Sequence, residues 1–227
     1  MRPPLEILLP PELGMDLLYS FVIIICSLMI YYATREMYEL SSYKGIKYFR
    51  QSFLFFAIAY FFRYSIMFFL TFFNLRSILD FSPRYIGWVS LFLFLFFSSM
   101  AVFYLVYSVM WKKWNHGKIV ISLFAILSLV IALIGALFNS MLISLILNIV
   151  LLIFVLLTLL VAYKDSIGKK KGKSLFIIYL LLFVFWILNV IDILIPRFLQ
   201  VYQILIYLAS LLMFMIILYK VLRKAGD

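Results

Sequence analysis

The sequence predicts an all-α, polytopic membrane protein: a seven-transmembrane-helix bundle with its N-terminus outside and its C-terminus cytoplasmic. Three observations carry this. Apolar residues make up 67% of the 227 positions and charged residues 13%, a balance that a water-soluble domain of this size cannot hide in one core. The apolar residues fall into seven runs of about the ~20 residues that a hydrocarbon layer requires, separated by short polar connections. Lysine and arginine alternate in density along those connections. Fifteen lie in every second one and in the C-terminal tail, against Arg2, Arg76, Arg84 and Arg197 in the rest, and the denser side faces the cytoplasm. Strands of alternating polarity, the mark of an outer-membrane barrel, are absent.

Ahead of the first span, about 17–34, lie several prolines and the acids Glu6, Glu12 and Asp16. A signal peptide has a positive flank there, so this span is expected to be retained. The polar stretch REMYELSSYKGIKYFR should connect it to span two, about 51–74, with at most a short interfacial helix. Span three, about 85–111, is rich in phenylalanine. Spans four, about 119–137, and five, about 142–163, share a short uncharged link and should form a tight hairpin. Span six, about 174–195, is stopped by Pro196, and span seven, about 201–219, precedes the basic tail. The connections leave no room for a soluble module, so residues 1–227 are expected to form a single membrane domain.

Arg63 interrupts span two. Counted from residue 51 it falls near the bilayer centre, where insertion costs roughly 2.5–3.5 kcal/mol. On a helical wheel Ser52, Ala59, Tyr60, Thr71 and Asn74 share its side, while Leu54, Phe61, Phe68 and Phe72 lie opposite. The phenylalanines of spans two and three are expected to face lipid. Ser98, Asn148, Trp186, Asn189, Asp192 and Gln203 fall between the midplane and the outer surface, where a polar cavity would gather them. In that cavity Arg63 would be the floor, with Ser98 near its depth. There Arg63 would pair with Asp192, directly or through water, and meet an anionic ligand group, or else the pair would only tie spans two and six. Asp192 is expected ~9 Å further out at ~1.5 Å per residue, so direct contact needs an extended arginine or differing tilts. Asn148, Asn189 and Gln203 also suit interhelical hydrogen bonding, and Ala132 and Ala136 give a spacing suited to close helix packing.

The net charge of +11 resides in loops beside apolar spans, which points away from nucleic acid. Lys44, Lys47, Arg50, Lys112, Lys113, Lys169, Lys170 and Lys171 are candidates to meet anionic lipid head groups or to dock a cytoplasmic protein. Enzyme chemistry is not expected. Cys26 and His116 are the sole residues of their kinds, so a multi-histidine or cysteine metal site, histidine-ligated haem and Ser-His catalysis lack parts. No two carboxylates are expected at one membrane depth, which argues against an aspartyl intramembrane protease, and no Gly-rich phosphate loop occurs. No cofactor or metal is expected.

The seven-span layout resembles microbial rhodopsins, seven-helix receptors and the membrane sensor halves of some bacterial histidine kinases, in topology alone. A rhodopsin would need a lysine in the middle of span seven, whereas Lys220 stands at its end, so retinal is not expected. The segment ELSSYKGIKYFRQSFLFFAIAYFFR resembles uncharacterised archaeal membrane proteins, a likeness that implies no activity. The sequence thus points to a receptor-like or sensor-like multi-pass protein of the cell membrane, with a small outward polar cavity and a separate cytoplasmic partner. A small transporter using the same cavity is the alternative, and a structural or assembly subunit a second one.

Overall fold

The computed structural model describes residues 11–65, 83–114, 117–138, 140–167, 170–195 and 200–226. These form seven α-helices and no strand: α1 (Pro11–Ser41), α2 (Lys44–Tyr60), α3 (Pro83–Met110), α4 (Gly117–Phe138), α5 (Met141–Ser166), α6 (Lys170–Leu194) and α7 (Gln200–Gly226). A π-helical turn, Phe61–Ser65, continues α2. Six of the seven helices, all but α2, are long and apolar enough to cross a membrane, which makes this a multi-pass membrane protein. In hydrocarbon every backbone donor and acceptor must be met within the chain, and a helix meets them within its own segment.

Helices α3 to α6 begin and end close to where the apolar runs place them, and α7 begins where expected but continues to Gly226, seven residues past its apolar run. The first connection differs. Residues 35–50, expected to be largely a polar connection, are helical except for Ser42 and Tyr43. No glycine or proline interrupts 35–44, and Arg35 Nε reaches Glu39 Oε1 one turn on at 2.7 Å, so α1 continues past its apolar run. Ser42 turns the chain with a left-handed φ of 50°, and its N–H donates to Tyr38 O at 2.8 Å. Gly45 then lets α2 pass close to α3, since a Cβ there would lie 2.7 Å from the Ser108 carbonyl oxygen.

This early start moves Arg63. Reckoned from Lys44 rather than residue 51 it stands seven positions further along α2, about 10 Å at ~1.5 Å per residue. Cross-bundle pairs fix its level. Phe49 meets Tyr179 with ring centroids 5.9 Å apart, Phe56 meets Trp186 at 6.1 Å, and Tyr60 Oη donates to Asn189 Oδ1 at 3.2 Å. Helices α2 and α6 therefore run parallel, and Arg63 stands level with Asp192, two residues from the end of α6. The expectation that Asp192 lies well beyond Arg63 is corrected; the expected continuation of span two from residue 66 to 74 lies outside the described residues.

Neighbouring helices form a ring in the order α1, α2, α3, α5, α6, α7 and back to α1, while α4 lies outside it, packed mainly on α3. The hairpin of α4 and α5 is short in its link, but its two helices touch each other far less than α4 touches α3. Ser128, Ala132, Gly135 and Ala136 line the buried face of α4, where small side chains allow close approach.

Aromatic rings fill the ring of helices. Phe49, Phe53, Phe56 and Tyr60 recur at i, i+4, i+7 and i+11 and are buried. Phe214 of α7 lies against Phe53, Phe56 and Phe185 at centroid distances of 6.3, 6.5 and 4.6 Å. Phe103 of α3 is also buried and stacks on Phe124 of α4 at 4.9 Å. The expectation of lipid-facing phenylalanines is corrected for Phe53, Phe56 and Phe103, whereas Phe61 is exposed and Phe92, Phe94, Phe96 and Phe97 are half-buried; Phe68 and Phe72 lie outside the described residues. Lipid is as apolar as phenylalanine, so cohesion inside a membrane comes from van der Waals packing, and large rings span the gap between helix backbones that do not touch.

Candidate functional site

The parallel register of α2 and α6, with α3 antiparallel to α2, leaves a cavity of about 250 Å³ bounded by α2, α3, α5 and α6. On α2 its wall runs from Phe56 through Tyr60 to Arg63, and on α3 from Ser98 through Phe94 to Gly87. Asn148 and Ser144 of α5, with Trp186, Asn189 and Ile193 of α6, complete it. Arg63 is therefore not the floor. Phe56, Ser98 and Trp186 occupy the closed end, about two helical turns below Arg63, or ~11 Å. Ser98 accordingly lies level with Phe56 rather than with Arg63. Its neighbour Ser99 donates to the Leu95 carbonyl of its own helix at 2.7 Å and does not line the cavity.

Arg63 is held from several sides. Its Nη2 lies 4.0 Å from Asp192 Oδ2, its Cζ is 4.9 Å from the centre of the Phe94 ring and 6.0 Å from that of Tyr60. The π turn carrying it is fixed to α3 where Ser90 Oγ donates to the Phe62 carbonyl. A π turn widens the backbone and leaves carbonyls out of the regular ladder, and such turns recur at functional positions.

The amides are tied into the frame. Asn189 accepts from Tyr60, and its Nδ2 donates to the Phe185 carbonyl at 2.9 Å. Asn148 Nδ2 donates to the Ser144 carbonyl at 2.9 Å, and its own carbonyl accepts from Trp186 Nε1 at 3.2 Å. Asp192 and Gln203 do not line the cavity. Gln203 serves a polar chain outside it: Gln203 Nε2 donates to Tyr207 Oη at 3.0 Å, which donates to Asp16 Oδ1 at 2.7 Å. Tyr19 stacks on Tyr207 with centroids 4.5 Å apart and meets Tyr60 edge-on at 5.9 Å. Of the seven candidates, Arg63, Ser98, Asn148, Trp186 and Asn189 thus share one cavity, with Asp192 and Gln203 behind it.

No family model matches this sequence, and no solved structure matches it. An uncharacterised protein of Archaeoglobus fulgidus is 32% identical over 242 aligned residues that take in 99% of this chain and the whole of that protein. The chain belongs to that protein's family. The match spans both walls of the cavity and the α1–α7 seam behind it, so all of these segments are part of what the family shares in length.

Sequence reasoning missed Tyr207, Asp16 and Ser90 as members of this region, whereas Tyr60 follows from its place on the Arg63 side of the helical wheel. Tyrosines in an aromatic-rich chain carry no signal of their own, and Asp16 was placed with the polar N-terminal segment, whereas it stands on α1 within reach of α7. Among the described residues no group of three or more potential metal ligands occurs.

The basic candidates separate. Lys44, Lys47, Lys112 and Lys113 are exposed, Lys112 Nζ lying 5.2 Å from the Tyr43 ring centre. Arg50 is instead a packing residue, with Nη2 donating to Tyr31 Oη at 3.0 Å and Cζ 4.4 Å from that ring's centre. Lys170 and Lys171 stand in the first turn of α6, their side chains outside the described residues, as are Lys169 and His116 altogether.

Proposed function

We propose that this is a seven-span, receptor-like protein of the cell membrane, N-terminus outside and C-terminus cytoplasmic, which binds a small molecule in the Arg63 cavity and is not an enzyme. Occupancy would be passed to a separate cytoplasmic protein through Lys44, Lys47, Lys112 and Lys113, which also meet anionic lipid head groups. The observation that carries the reading is the closed end of the cavity. Below Phe56 and Trp186 the space between α2, α6 and α7 is filled by Phe49, Phe53, Tyr179, Phe185 and Phe214, all buried. A transporter needs polar groups or room along that route, so binding is favoured over passage. The same rings supply a path for a signal. Phe56 touches the cavity and Phe214 alike, and a ligand that moves Phe56 moves α2, whose far end carries Lys44 and Lys47.

The test is sided labelling of single cysteines at Ser98, Asn189 and Leu105 in a Cys26→Ser background, with a membrane-impermeant thiol reagent. Labelling of Ser98→Cys and Asn189→Cys from outside alone is expected. Leu105→Cys, at a position 1% exposed, should stay silent from either side. Reaction of Leu105→Cys from inside would favour a transporter, and silence at all three a packed structural subunit.

A further inference from the structure

From the polar atoms left unpaired at the closed end of the cavity, we infer that its ligand is an uncharged phenol or aryl alcohol of about ten non-hydrogen atoms, its hydroxyl between Ser98 and Asn148 and its ring against Phe56 and Trp186. The proposal rests on the ligand-binding reading above. Most polar groups of the wall are already matched. The charge of Arg63 is faced by Asp192 at 4.0 Å, so the cavity holds no cation in need of a counter-ion. Tyr60 donates to Asn189, Ser90 to the Phe62 carbonyl, and Trp186 Nε1 to the backbone of Asn148. Two atoms at the closed end differ. The Ser98 side chain lines the cavity at 7% exposure and makes no hydrogen bond among the described residues. Asn148 gives Nδ2 to the Ser144 carbonyl at 2.9 Å, which fixes the way its amide points and leaves Oδ1 without a donor among the described residues.

The bond from Trp186 to Asn148 sets both atoms at one level, with Ser98 on α3 and Asn148 on the adjoining α5. A polar atom shut away from water without a partner is costly, so a ligand that fills this end must meet both. A hydroxyl does so with one oxygen, donating to Asn148 Oδ1 and accepting from Ser98 Oγ. An ether only accepts and leaves Asn148 unmatched, and a carboxylate or ammonium adds a charge that the wall does not balance. Across from this polar side stand Phe56 and Trp186, their rings 6.1 Å apart and inclined at 54°. Rings so tilted offer both faces and edges to a third ring, which gains from such contacts beyond the area it buries. Size follows from volume. A cavity of ~150 Å³ takes benzene, roughly 25 Å³ per non-hydrogen atom, so the 250 Å³ here take about ten. A bilayer lipid is several times too large.

The experiment is isothermal titration of the full chain in nanodiscs, against empty discs, with para-propylphenol, its methyl ether, butylbenzene and para-ethylbenzoate. The phenol should bind about tenfold or more tightly than the ether and the hydrocarbon, and the benzoate more weakly than the phenol. Ser98→Ala and Asn148→Leu should each bring the phenol towards the hydrocarbon while leaving the hydrocarbon's own binding in place, which also shows that each variant is folded. Gly87→Leu supplies a blocked cavity that still folds, because a Cβ there meets nothing within 4 Å; it should abolish binding. An ether, hydrocarbon or benzoate that equals the phenol, or a phenol indifferent to both Ser98→Ala and Asn148→Leu, overturns the ligand class while the cavity reading stands, provided Gly87→Leu still blocks. Heats equal to those of empty discs for every compound overturn the class as well, and the sided labelling of Ser98→Cys then decides the cavity reading by itself. Binding indifferent to Gly87→Leu overturns the cavity reading.

Discussion

An alanine at position 135, on the outlying helix α4, should reshape the cavity without touching it. Its methyl carbon would lie 2.3 Å from Leu95 Cδ1 and 3.2 Å from Leu147 Cδ1. Non-bonded carbons rest at ~3.5–4.0 Å, so Leu95 must withdraw by about 1.2–1.7 Å. Leu95 is buried on α3 and lines the cavity, and the cavity is where it has room to go. Overpacking of this kind costs roughly 1–3 kcal/mol, against a gain of up to ~1 kcal/mol from replacing a helical glycine. The net loss for Gly135→Ala is therefore about 0–2 kcal/mol. In a Leu95→Ala background only the 3.2 Å approach to Leu147 Cδ1 is left and the helical gain remains, so the same change should be neutral or stabilise by up to ~1 kcal/mol. Reversible unfolding in mixed micelles, run as a double-mutant cycle, should give a coupling of about 1–3 kcal/mol. The rate of thiol labelling at Ser98→Cys should fall in Gly135→Ala and recover in the double variant. Additivity within ~0.5 kcal/mol, with unchanged labelling, would refute the claim that α4 sets the width of the cavity.

Two glycines of opposite setting make a matched pair. Gly45→Ala drives its methyl to 2.7 Å from a backbone carbonyl that cannot swing aside and should destabilise by about 1–3 kcal/mol, whereas Gly87→Ala should be neutral or stabilising by up to ~1 kcal/mol, both read by the same unfolding assay. Phe214→Ala should cost about 3–5 kcal/mol and open the closed end of the cavity, so that Ser98→Cys becomes reactive from the second side. For Arg63→Met with Asp192→Asn, the double change should be less damaging than the summed singles by ~1 kcal/mol, and simple additivity would mean that the 4.0 Å approach contributes nothing. Tyr60→Phe removes the donor to Asn189 and should cost about 1 kcal/mol, with Asn189→Leu alongside it adding less than its separate cost.

What could be read from the sequence follows the physics of each signal. Helices α3 to α6 and the start of α7 were legible because lipid demands long apolar runs, and their ends were marked by charge, Pro196 or a short polar link; the basic tail did not end α7, which runs on to Gly226. The junction of α1 and α2 was not, because charged residues end an apolar run without ending a helix: Arg35 to Ser41 carry good helix formers and an Arg35–Glu39 pair. That single error displaced Arg63 by seven positions and with it the depth of Ser98 and the separation from Asp192. The polar residues themselves were found, since an amide or an acid in a span is conspicuous. The phenylalanine core was misread because hydropathy ranks a ring in lipid and a ring in a core alike; the 4-3-4 spacing of Phe49, Phe53, Phe56 and Tyr60 was the usable sign.

The seam between α1 and α7 bears on how the molecule is made. Tyr207 reaches Asp16 across 191 positions, and Cys26 Sγ lies 3.7 Å from Met215 Sδ. Helix α1 is first of the seven to leave the ribosome and must wait for the last to cover its inward face, with Asp16 lacking its tyrosine donor meanwhile. The circle cannot close until α7 has been made. A version of this protein cut short before α7 would therefore offer the cell's quality-control machinery an uncovered acid and the unpacked side chains of Tyr19 and Cys26, a ready flag that assembly has not finished.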